Sequence, residues 1–472
     1  MASRFDDGGP DVPSGVTGTV ERVVVVGAGI AGLTVARALT RAGVACVVLE
    51  ARERIGGRLH TVDLGGAPVD LGGSWLHHPV GNPLRDFADL AGVGCREGDP
   101  VPTMTGVDLT DGRRLAPAEL GAVLHAVFEG FPAALDELRD RLPPGSSAAD
   151  GVDAFVAGST ADPAAARLLR QALRSSVEAD AADLWDRMSL HWLGHEHEYG
   201  GEMLGDLPEG GYRSVVRALA SGLDVRLGTE AVEVHVDEPT GQVRVRTADG
   251  GEETGTHAVL AVPLGVLKAG RPVVTPPLPA GHLEAVTRLG FGRYEKVLLR
   301  FDRAHWRDAG LSHLLLFPAD DASPAVWVFD LDAFDDEPVL ACHVFPGMTD
   351  HVVGRSRADA VAWARRLLHD AGLALPAPSD TAVTGWSLDP FSRGAYTHVP
   401  PGADPGDADL LGEPVAGRLL FAGEHTQSHR LGYADGAFVS GVREAKRLLR
   451  LPAVDLGPPS AESASDGRGD AS

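Results

Sequence analysis

The sequence predicts an α/β unit of the Rossmann type combined with an α+β part of mixed sheet and helices. Three observations predict this fold class. Residues 21–32 form a strand, a glycine-rich turn and a helix start, and Glu50 ends the next strand. Residues 79–205 contain segments with apolar residues at helical spacing, joined by Pro and Gly. Residues 291–345 alternate apolar and polar residues as antiparallel strands do.

The first element is a buried strand followed by three glycines, in the segment ERVVVVGAGIAG. Gly27 allows a sharp turn, Gly29 lets the backbone approach a pyrophosphate, and Gly32 lets the helix pack close to the sheet. The helix N-terminus presents free N–H groups to phosphates. Glu50 stands where a carboxylate accepts hydrogen bonds from a ribose. The motif therefore predicts a dinucleotide site and argues against a 2′-phosphorylated cofactor.

The second element, residues 50–61, indicates which dinucleotide cofactor the site binds. The run EARERIGGRLHT places Gly56 and Gly57 between Arg52 and Arg58. A flavin buried along its whole length needs these extra backbone and cation contacts, whereas a nicotinamide enzyme has no evident need for them. The segment resembles the FAD-binding start of the flavin amine oxidase superfamily, in which the acid, the first arginine and the last arginine contact FAD.

The later elements follow in chain order. GGYRSVVRALASGL predicts a short helix, the segment from DVRLG to TADG predicts strands joined by turns, and HAVLAVPLGVL predicts a buried strand. KVLLRFD and AVWVFDL predict further strands, and helices are expected over 357–372 and 434–450.

The family resemblance implies a two-domain fold like that of amine oxidases and p-hydroxybenzoate hydroxylase. We expect the FAD-binding domain to be discontinuous and interleaved with the substrate-binding domain. The expected FAD-binding pieces are 20–78, 206–278 and 389–451. The expected substrate-binding pieces are 79–205 and 279–388.

Composition sets limits on function. The chain has 472 residues, a net charge of −24 and three cysteines without metal or redox spacing. We therefore expect no nucleic-acid partner and a reducing, cytoplasmic location. No signal peptide, apolar membrane span or convincing metal cluster is apparent, so a soluble protein without a membrane anchor is expected. Residues 1–19 and 452–472 are predicted to be disordered tails.

The segment VDLGGSWLHHPVGNPL resembles the flavin-lining strip of polyamine and spermine oxidases. The resemblance implies that His77, two residues after Trp75, faces the substrate and hydrogen-bonds an amine. A partly buried loop histidine explains the same residue equally well, and the sequence does not separate His77 from His78.

The segment LGFGRYEKVLLRFD places Lys296 at the start of an otherwise apolar strand. An ammonium is costly there unless it is hydrogen-bonded or its pKa is lowered. The resemblance implies that Lys296 holds a water against flavin N5 and assists oxidation of the reduced flavin by oxygen. The alternative is a strand lysine that faces solvent.

A third resemblance covers GWSLDPFSRGAYTHVPPG and LLFAGEHTQSHRLGYADGAFVSG. It implies that Tyr396 and Tyr433 form a parallel aromatic cage before the flavin, which a cationic amine can contact through the ring faces. Either tyrosine could instead belong to the ordinary core. Ala395 stands where monoamine oxidases have the cysteine that attaches FAD, so we expect non-covalent FAD.

Taken together, the resemblance implies a set of FAD contacts spread over the chain. These are Gly27, Gly29, Ile30, Ala31, Gly32, Glu50, Ala51, Arg52, Gly57, Arg58, Gly72, Gly73, Ser74, Trp75, Val232, Pro263, Trp386, Glu424, Tyr433 and Ala434. The helix that begins near Ala434 would direct its positive end at the flavin pyrimidine.

The resemblance implies an FAD-dependent amine oxidase, most like a polyamine oxidase, acting on a small amine and O2. A neutral amine would transfer hydride equivalents to flavin N5, the imine would hydrolyse, and oxygen would be reduced to hydrogen peroxide. Glu198 or Glu202, in HWLGHEHEYGGE, could meet a distal amine. The histidines of that run do not have the spacing of a metal motif.

Alternative functions remain open at this stage. An L-amino-acid oxidase would need an arginine clamp, for which Arg393 is a candidate, and a monoamine oxidase is a third enzyme of the same fold. A histone demethylase is disfavoured because no inserted helical hairpin or basic surface is apparent. A redox-silent FAD-binding scaffold is disfavoured by Lys296 and the tyrosine pair.

Overall fold

A computed structural model describes residues 4–6, 15–197 and 199–458. Its centre is a five-stranded parallel sheet with the Rossmann strand between its neighbours. The valine-rich strand pairs with the strand that ends before Glu50 on one side and with the HAVL strand on the other. In spatial order the strands are Val225–Arg226, Ala45–Leu49, Arg22–Val26, His257–Leu260 and Leu419–Phe421.

Two helices pack against each other on one face of this sheet. Ile30–Arg41 follows the glycine turn, and Ala434–Leu449 comes from near the end of the chain. A side chain at Gly441 would lie 2.6 Å from the carbonyl oxygen of Ala31, so the glycine permits a close helix crossing. A four-stranded sheet covers the other face of the parallel sheet. Its strands are Glu252–Gly255, Gln242–Thr247, Ala231–Asp237 and Val273–Thr275.

A seven-stranded sheet forms the second layer of the molecule. Its central strands are antiparallel and almost wholly buried, because alternate residues face two separate apolar cores. Its strands in spatial order are Asp380–Val383, Glu295–Arg300, Val339–Val344, Val326–Asp330, Leu314–Phe317, Thr105–Asp108 and Arg113–Arg114.

Helices and short strand pairs complete the fold. The remaining helices are Pro83–Leu90, Pro117–His125, Phe131–Arg141, Ala148–Ser159, Pro163–Ala181, Arg213–Ala220, Leu264–Lys268, Ala280–Arg288, Asp332–Asp335, Arg357–Asp370 and Gly406–Leu411. Shorter helical turns are Val101–Thr103, Ala126–Gly130, Trp185–Arg187, His305–Ala309, Pro346–His351 and Glu424–Thr426. The two-stranded pairs are Thr61–Leu64 with Ala67–Asp70, Cys95–Glu97 with Asp206–Pro208, and Gly290–Phe291 with Thr397–His398. The predicted combination of α/β and α+β parts is confirmed, whereas the domain boundaries stay a prediction.

The ends of the described chain differ from the expectation of disordered tails. Arg4–Phe5 pairs antiparallel with Val454–Asp455. The cause is apolar packing, because the Phe5 ring lies 5.5 Å from the Phe438 ring and 6.3 Å from that of Phe87. The remaining parts of the predicted tails, 1–3, 7–14 and 459–472, lie outside the described residues.

One helical segment contradicts the expectation that no apolar span would reach membrane-crossing length. Among the described residues, Pro117–Arg141 is long and apolar enough to qualify by length and composition. The segment is apolar because it combines several alanines with large apolar residues. The large side chains of Leu120, Val127, Phe131 and Leu138 are buried in the core beside the seven-stranded sheet.

Candidate active site

A cavity of about 790 Å³ lies between the parallel sheet and the seven-stranded sheet. Its volume is within the range of ligand sites. Segments far apart in the chain meet around it, because both the carboxyl ends of the parallel strands and one face of the seven-stranded sheet border it. The predicted residues that line it are Gly27, Gly29, Ile30, Ala31, Glu50, Ala51, Arg52, Gly57, Arg58, Gly72, Gly73, Ser74, Trp75, His77, Pro263, Lys296, Trp386, Tyr396, Glu424, Tyr433 and Ala434.

The glycine turn has the geometry that a pyrophosphate requires. Gly27 has φ +107°, and a side chain there would lie 2.6 Å from the carbonyl oxygen of Ala261. A side chain at Gly29 would meet no atom within 4 Å, so its bare backbone is open to the cavity. Gly29 is also the N-cap of the helix Ile30–Arg41. An anionic group can therefore approach the free N–H groups of that helix.

Glu50 is held in place at the adjacent strand end. One carboxylate oxygen accepts a hydrogen bond from the backbone N–H of Ala28 at 2.8 Å, and the other accepts from that of Arg52 at 2.9 Å. The side chain is only 4% exposed, yet it lines the cavity. Each oxygen can accept a further bond, as recognition of a ribose diol requires.

Glu424 joins three segments at the far end of the cavity. Its Oε1 accepts a hydrogen bond from Arg58 at 2.8 Å and from the Thr397 hydroxyl at 3.1 Å. Its Oε2 accepts from the backbone N–H of Gly432 at 2.9 Å. Burial raises the pKa of Glu424, but the charges of Arg58 and His425 and these bonds outweigh it and lower the pKa. The carboxylate is therefore ionised and positions Gly432, two residues before the helix Ala434–Leu449.

Three predicted site residues that the structure describes do not line the cavity. Gly32 instead packs the helix on the sheet, since a side chain there would lie 2.1 Å from the carbonyl oxygen of Gly27. Val232 is absent from the lining, although its neighbours Glu230 and Ala231 contribute to it. Glu202 is exposed outside the cavity, because this segment pairs with 76–80 and only Met203 and Leu204 reach the cavity. Glu198 lies outside the described residues.

Lys296 lies in the cavity wall with its ammonium group fully hydrogen-bonded. Its Nζ donates to the carbonyl oxygen of Gly72 at 2.6 Å, to the Ser74 hydroxyl at 2.8 Å and to the carbonyl oxygen of Asp70 at 3.2 Å. Three acceptors match the three N–H bonds of a charged ammonium. Burial lowers the pKa of Lys296 to about 8, against the opposing effect of the Asp70 charge. The lysine therefore carries a positive charge at neutral pH.

Aromatic rings form a continuous wall beside Lys296. Trp75 contacts Phe329 at 5.1 Å between ring centroids, Phe329 contacts His343 at 4.5 Å, and Tyr294 contacts His343 at 5.6 Å. We call this part of the cavity the substrate chamber. It is lined by Trp75, Phe128, Asp180, Tyr294, Trp327, Phe329, His343, Phe345 and Tyr396.

Sequence reasoning missed Tyr294, His343 and Asp180. Tyr294 could have been found, since it lies two residues before Lys296. His343 and Asp180 have no local signal. His343 enters the site by pairing directly opposite Lys296 in the sheet, and Asp180 enters because the helix Pro163–Ala181 ends at the chamber.

Asp180 gives the chamber a negative charge. Burial raises the pKa values of Tyr294, Tyr396 and Tyr433, and the charge of Asp180 raises all three further. All three phenols therefore keep their protons at neutral pH. Carbonyl groups at the end of a helix add negative potential. Asp180 and the helix end therefore add negative potential to this part of the chamber.

The two predicted cage tyrosines line the cavity but have different ring partners. Tyr396 lies 6.1 Å from Tyr294, and its hydroxyl donates to the carbonyl oxygen of Ala179. The Tyr433 ring is covered by the Arg430 guanidinium at 3.8 Å. The structure therefore explains what orients each ring, while a parallel cage stays a prediction.

His77 contributes a neutral imidazole to the cavity. Its Nδ1 bonds the carbonyl oxygen of Met203 at 2.8 Å, and its ring lies edge-on to Tyr433 at 5.4 Å. Burial lowers the pKa of His77 to about 4. The neutral ring donates from Nδ1 to the carbonyl, so Nε2 is left as a hydrogen-bond acceptor.

Comparison with known proteins assigns the family. Residues 30–449 match the family of flavin containing amine oxidoreductases. The chain belongs to that family. Membership implies FAD as the cofactor, and the open backbone at Gly29, the buried Glu50 and the Arg58–Glu424 pair fit this group.

Several flavin amine oxidoreductases resemble the chain along most of its length. Polyamine oxidase 2 of Arabidopsis thaliana is 30% identical over 90% of this chain and 87% of that protein. Lysine-specific histone demethylase 1 homolog 3 of Arabidopsis thaliana is 30% identical over 91% of this chain but only 30% of that protein. The chain spans between 30% and 58% of the length of the histone demethylase homologues that it matches first.

A solved structure of a redesigned putrescine oxidase double mutant has the same fold. It superposes with a TM-score of 0.73 at 21% identity, covering 92% of this chain and all of that one. The predicted fold of a flavin amine oxidase is therefore confirmed.

Proposed function

We propose that this protein is an FAD-dependent amine oxidase that acts on a polyamine-like substrate and O2. The observation that carries the proposal is the charged Lys296, which is held by three hydrogen-bond acceptors. It lies in a cavity that also contains the glycine turn and the substrate chamber. When bound, FAD supplies the acceptor for the electrons and hydrogen of the amine C–H bond and returns them to O2, which yields hydrogen peroxide.

The residues of this chain position the substrate and exclude water. Aromatic side chains of the substrate chamber desolvate the amine, and Nε2 of His77 can accept a hydrogen bond from an amine N–H. Asp180 supplies the charge that a second, protonated nitrogen would meet. The positive charge of Lys296 supports electron transfer to oxygen, because it stabilises negative charge that develops on O2.

Anaerobic mixing with candidate substrates tests the proposal. The panel contains spermine, spermidine, N-acetylated polyamines, benzylamine, L-amino acids and a peptide with dimethyllysine, and bleaching of the flavin absorbance is the measurement. We expect a polyamine to bleach the flavin fastest. Faster bleaching by an L-amino acid would identify an amino-acid oxidase, and bleaching by the peptide alone would support a demethylase. Failure of the whole panel would contradict the amine oxidase proposal.

A matched variant tests the role of charge in the chamber. Asp180→Asn keeps the shape of the side chain but removes its charge. We expect kcat/KM for spermine to fall by up to about 5-fold, the effect of losing one solvent-exposed charged interaction of up to about 1 kcal/mol, while that for benzylamine stays unchanged. An equal effect on both amines would contradict recognition of a distal ammonium by Asp180.

A histone demethylase activity is the second candidate function, because demethylase homologues and polyamine oxidases are equally similar to this chain. We favour a small amine because Asp180 and the aromatic wall line one cavity of about 790 Å³. The cytoplasmic location stays a prediction.

A further inference from the structure

His343 is a polar group in an aromatic wall. It lies on the strand Val339–Val344, directly opposite Lys296 in the antiparallel pairing with Glu295–Arg300. Side chains of directly opposed residues lie on the same face of a sheet. His343 and Lys296 accordingly both line the cavity. His343 therefore lines the cavity beside Lys296 and does not lie in the sheet core.

The hydrogen bond of His343 to Tyr294 assigns its tautomer. The Tyr294 hydroxyl and Nδ1 of His343 are 2.5 Å apart. Burial, and then the charge of Lys296, lower the pKa of His343 well below its usual value, so the ring is neutral. Tyr294 keeps its proton because burial raises the pKa of its phenol. A phenol is the stronger donor of this pair, so Tyr294 donates to Nδ1 and the imidazole proton resides on Nε2.

The Nε2–H group has no protein acceptor among the residues that the structure describes. The bond to Tyr294 is the one hydrogen bond of the His343 side chain within that part of the chain. Nε2 of His343 also keeps some accessible surface. Because His343 lines the cavity, this surface faces the cavity. The rings of Phe329 and Trp75 neighbour the His343 ring, with centroid distances of 4.5 Å and 6.0 Å, and they offer no strong acceptor.

We propose that His343 is a specificity-determining residue whose Nε2–H donates a hydrogen bond to an oxygen acceptor on the non-reacting part of the amine substrate. The inference rests on the proposed amine oxidase function and adds a selection rule to it. A substrate with a hydroxyl or carbonyl oxygen satisfies the N–H group, whereas an analogue without oxygen leaves this donor unpaired and desolvated. A site built to pair a polar group rejects an analogue that lacks it.

Two matched substrate pairs distinguish the source of the oxygen. Tyramine and phenethylamine differ by one ring hydroxyl, and N-acetylputrescine and heptylamine, which carry the same charge, differ by an amide group in place of two methylene groups. We expect the wild-type enzyme to prefer the oxygen-bearing member of one pair by at least about 10-fold in kcat/KM. The pair that shows the preference identifies the acceptor as a hydroxyl or a carbonyl. Equal kcat/KM values within both pairs would overturn the proposal.

Variants then connect the preference to His343. His343→Leu removes the N–H group, and we expect the ratio of kcat/KM values between the two members of the pair to fall to about 1. His343→Gln retains an N–H donor and should restore part of the preference. Tyr294→Phe leaves His343 in place but removes the hydroxyl that fixes the imidazole tautomer. The preference should therefore weaken. A preference that persists in both His343→Leu and Tyr294→Phe would overturn the proposal.

A binding measurement separates this inference from the proposed function. Titration of the oxidised holoenzyme with p-cresol and with toluene reports binding through the flavin absorbance and needs no turnover. If the tyramine pair shows the preference, p-cresol should bind more tightly than toluene to the wild type but not to His343→Leu. If the acetyl pair shows it, N-ethylacetamide and pentane, which are both neutral and of equal chain length, replace these ligands. If His343→Leu changed the affinities for both ligands equally, the inference would be overturned. Absence of flavin reduction by every amine would overturn only the proposed function.

Discussion

Lys296 combines burial, three hydrogen bonds and a position in the cavity wall. It is buried, it meets three hydrogen-bond acceptors, and it lies opposite His343 in the sheet. Its acceptors come from the strip 70–74, which also lines the cavity. The lysine is therefore oriented by the same segment that borders the expected flavin position.

Replacing Lys296 should affect the reaction with oxygen more than cofactor binding. Lys296→Met keeps the length and apolar character of the side chain but removes its charge. We expect the rate constant for reoxidation of reduced flavin to fall at least about 10-fold, while FAD remains bound. Stopped-flow mixing of the reduced protein with oxygen measures this. Lys268→Met is the control, because Lys268 donates to the carbonyl oxygen of Thr287 away from the cavity. An unchanged rate in Lys296→Met would remove the lysine from the oxidative step.

The same rate constant should depend on pH with a defined sign. Burial lowers the pKa of Lys296 to about 8, so the ammonium is charged below this pH and neutral above it. We expect reoxidation to slow as pH rises through about 8 in the wild type. The Lys296→Met profile should lack this transition. A transition of the same size in both proteins would assign it to another group.

At the scale of secondary structure, two helices begin at the cavity and cross on the parallel sheet. Ile30–Arg41 follows the glycine turn, and Ala434–Leu449 follows Tyr433. Their contact is the most extensive between two helices in the described part of the chain. Because both N-termini face the cavity, the helix crossing sets the distance between the two positive ends that an anionic cofactor meets.

A methyl group at the helix crossing should loosen this arrangement. In Gly441→Ala the new Cβ would lie 2.6 Å from the carbonyl oxygen of Ala31 and 2.8 Å from Cβ of Thr34, so one helix must shift. We expect the free energy of unfolding to fall by about 1–3 kcal/mol and FAD to dissociate more readily. Chemical denaturation and FAD titration of the apoprotein measure the two effects.

Gly121→Ala is the matched control for this prediction. Gly121 lies in the helix Pro117–His125, and a side chain there meets no atom within 4 Å. We expect its free energy of unfolding to be unchanged or higher by up to about 1 kcal/mol. If both variants behaved alike, close packing at Gly441 would not control the cofactor site.

For the whole molecule, the cofactor connects parts of the chain that are distant in sequence. Glu50, Lys296 and Glu424 all line one cavity although they come from three regions of the chain. The Arg58–Glu424 bond and the contact of Arg58 with the carbonyl oxygen of Ala395 join the first and last of these regions directly. FAD binding should therefore stabilise the molecule as a unit.

The flavin should dissociate from the denatured protein as unmodified FAD. Ala395 lines the cavity where a linking cysteine would be needed, and the described cysteines Cys46, Cys95 and Cys342 do not line it. We expect purified protein to be yellow and to release free FAD into the supernatant after heat or acid precipitation. Absorbance and chromatography of the supernatant measure this. Flavin that remains with the precipitated polypeptide would contradict non-covalent binding.

The sequence alone determined the cofactor and the family, because the signals for both are local. The three glycines and Glu50 lie on one strand–helix–strand unit, whose geometry follows from neighbouring residues. Lys296 was predictable for a similar reason, since one cation at the start of an apolar strand requires acceptors. The predicted helices and strands from 206 onwards also follow from local periodicity.

Only the tertiary structure decided which distant residues share the substrate chamber. His343 enters through strand pairing with register opposite Lys296, and a shift of one residue would turn its side chain to the other face of the sheet. Asp180 enters because a helix ends there, whereas Glu202 is excluded by the pairing of its segment with residues 76–80. Sheet register and helix packing depend on contacts between residues far apart in the chain, so local sequence pattern does not specify them.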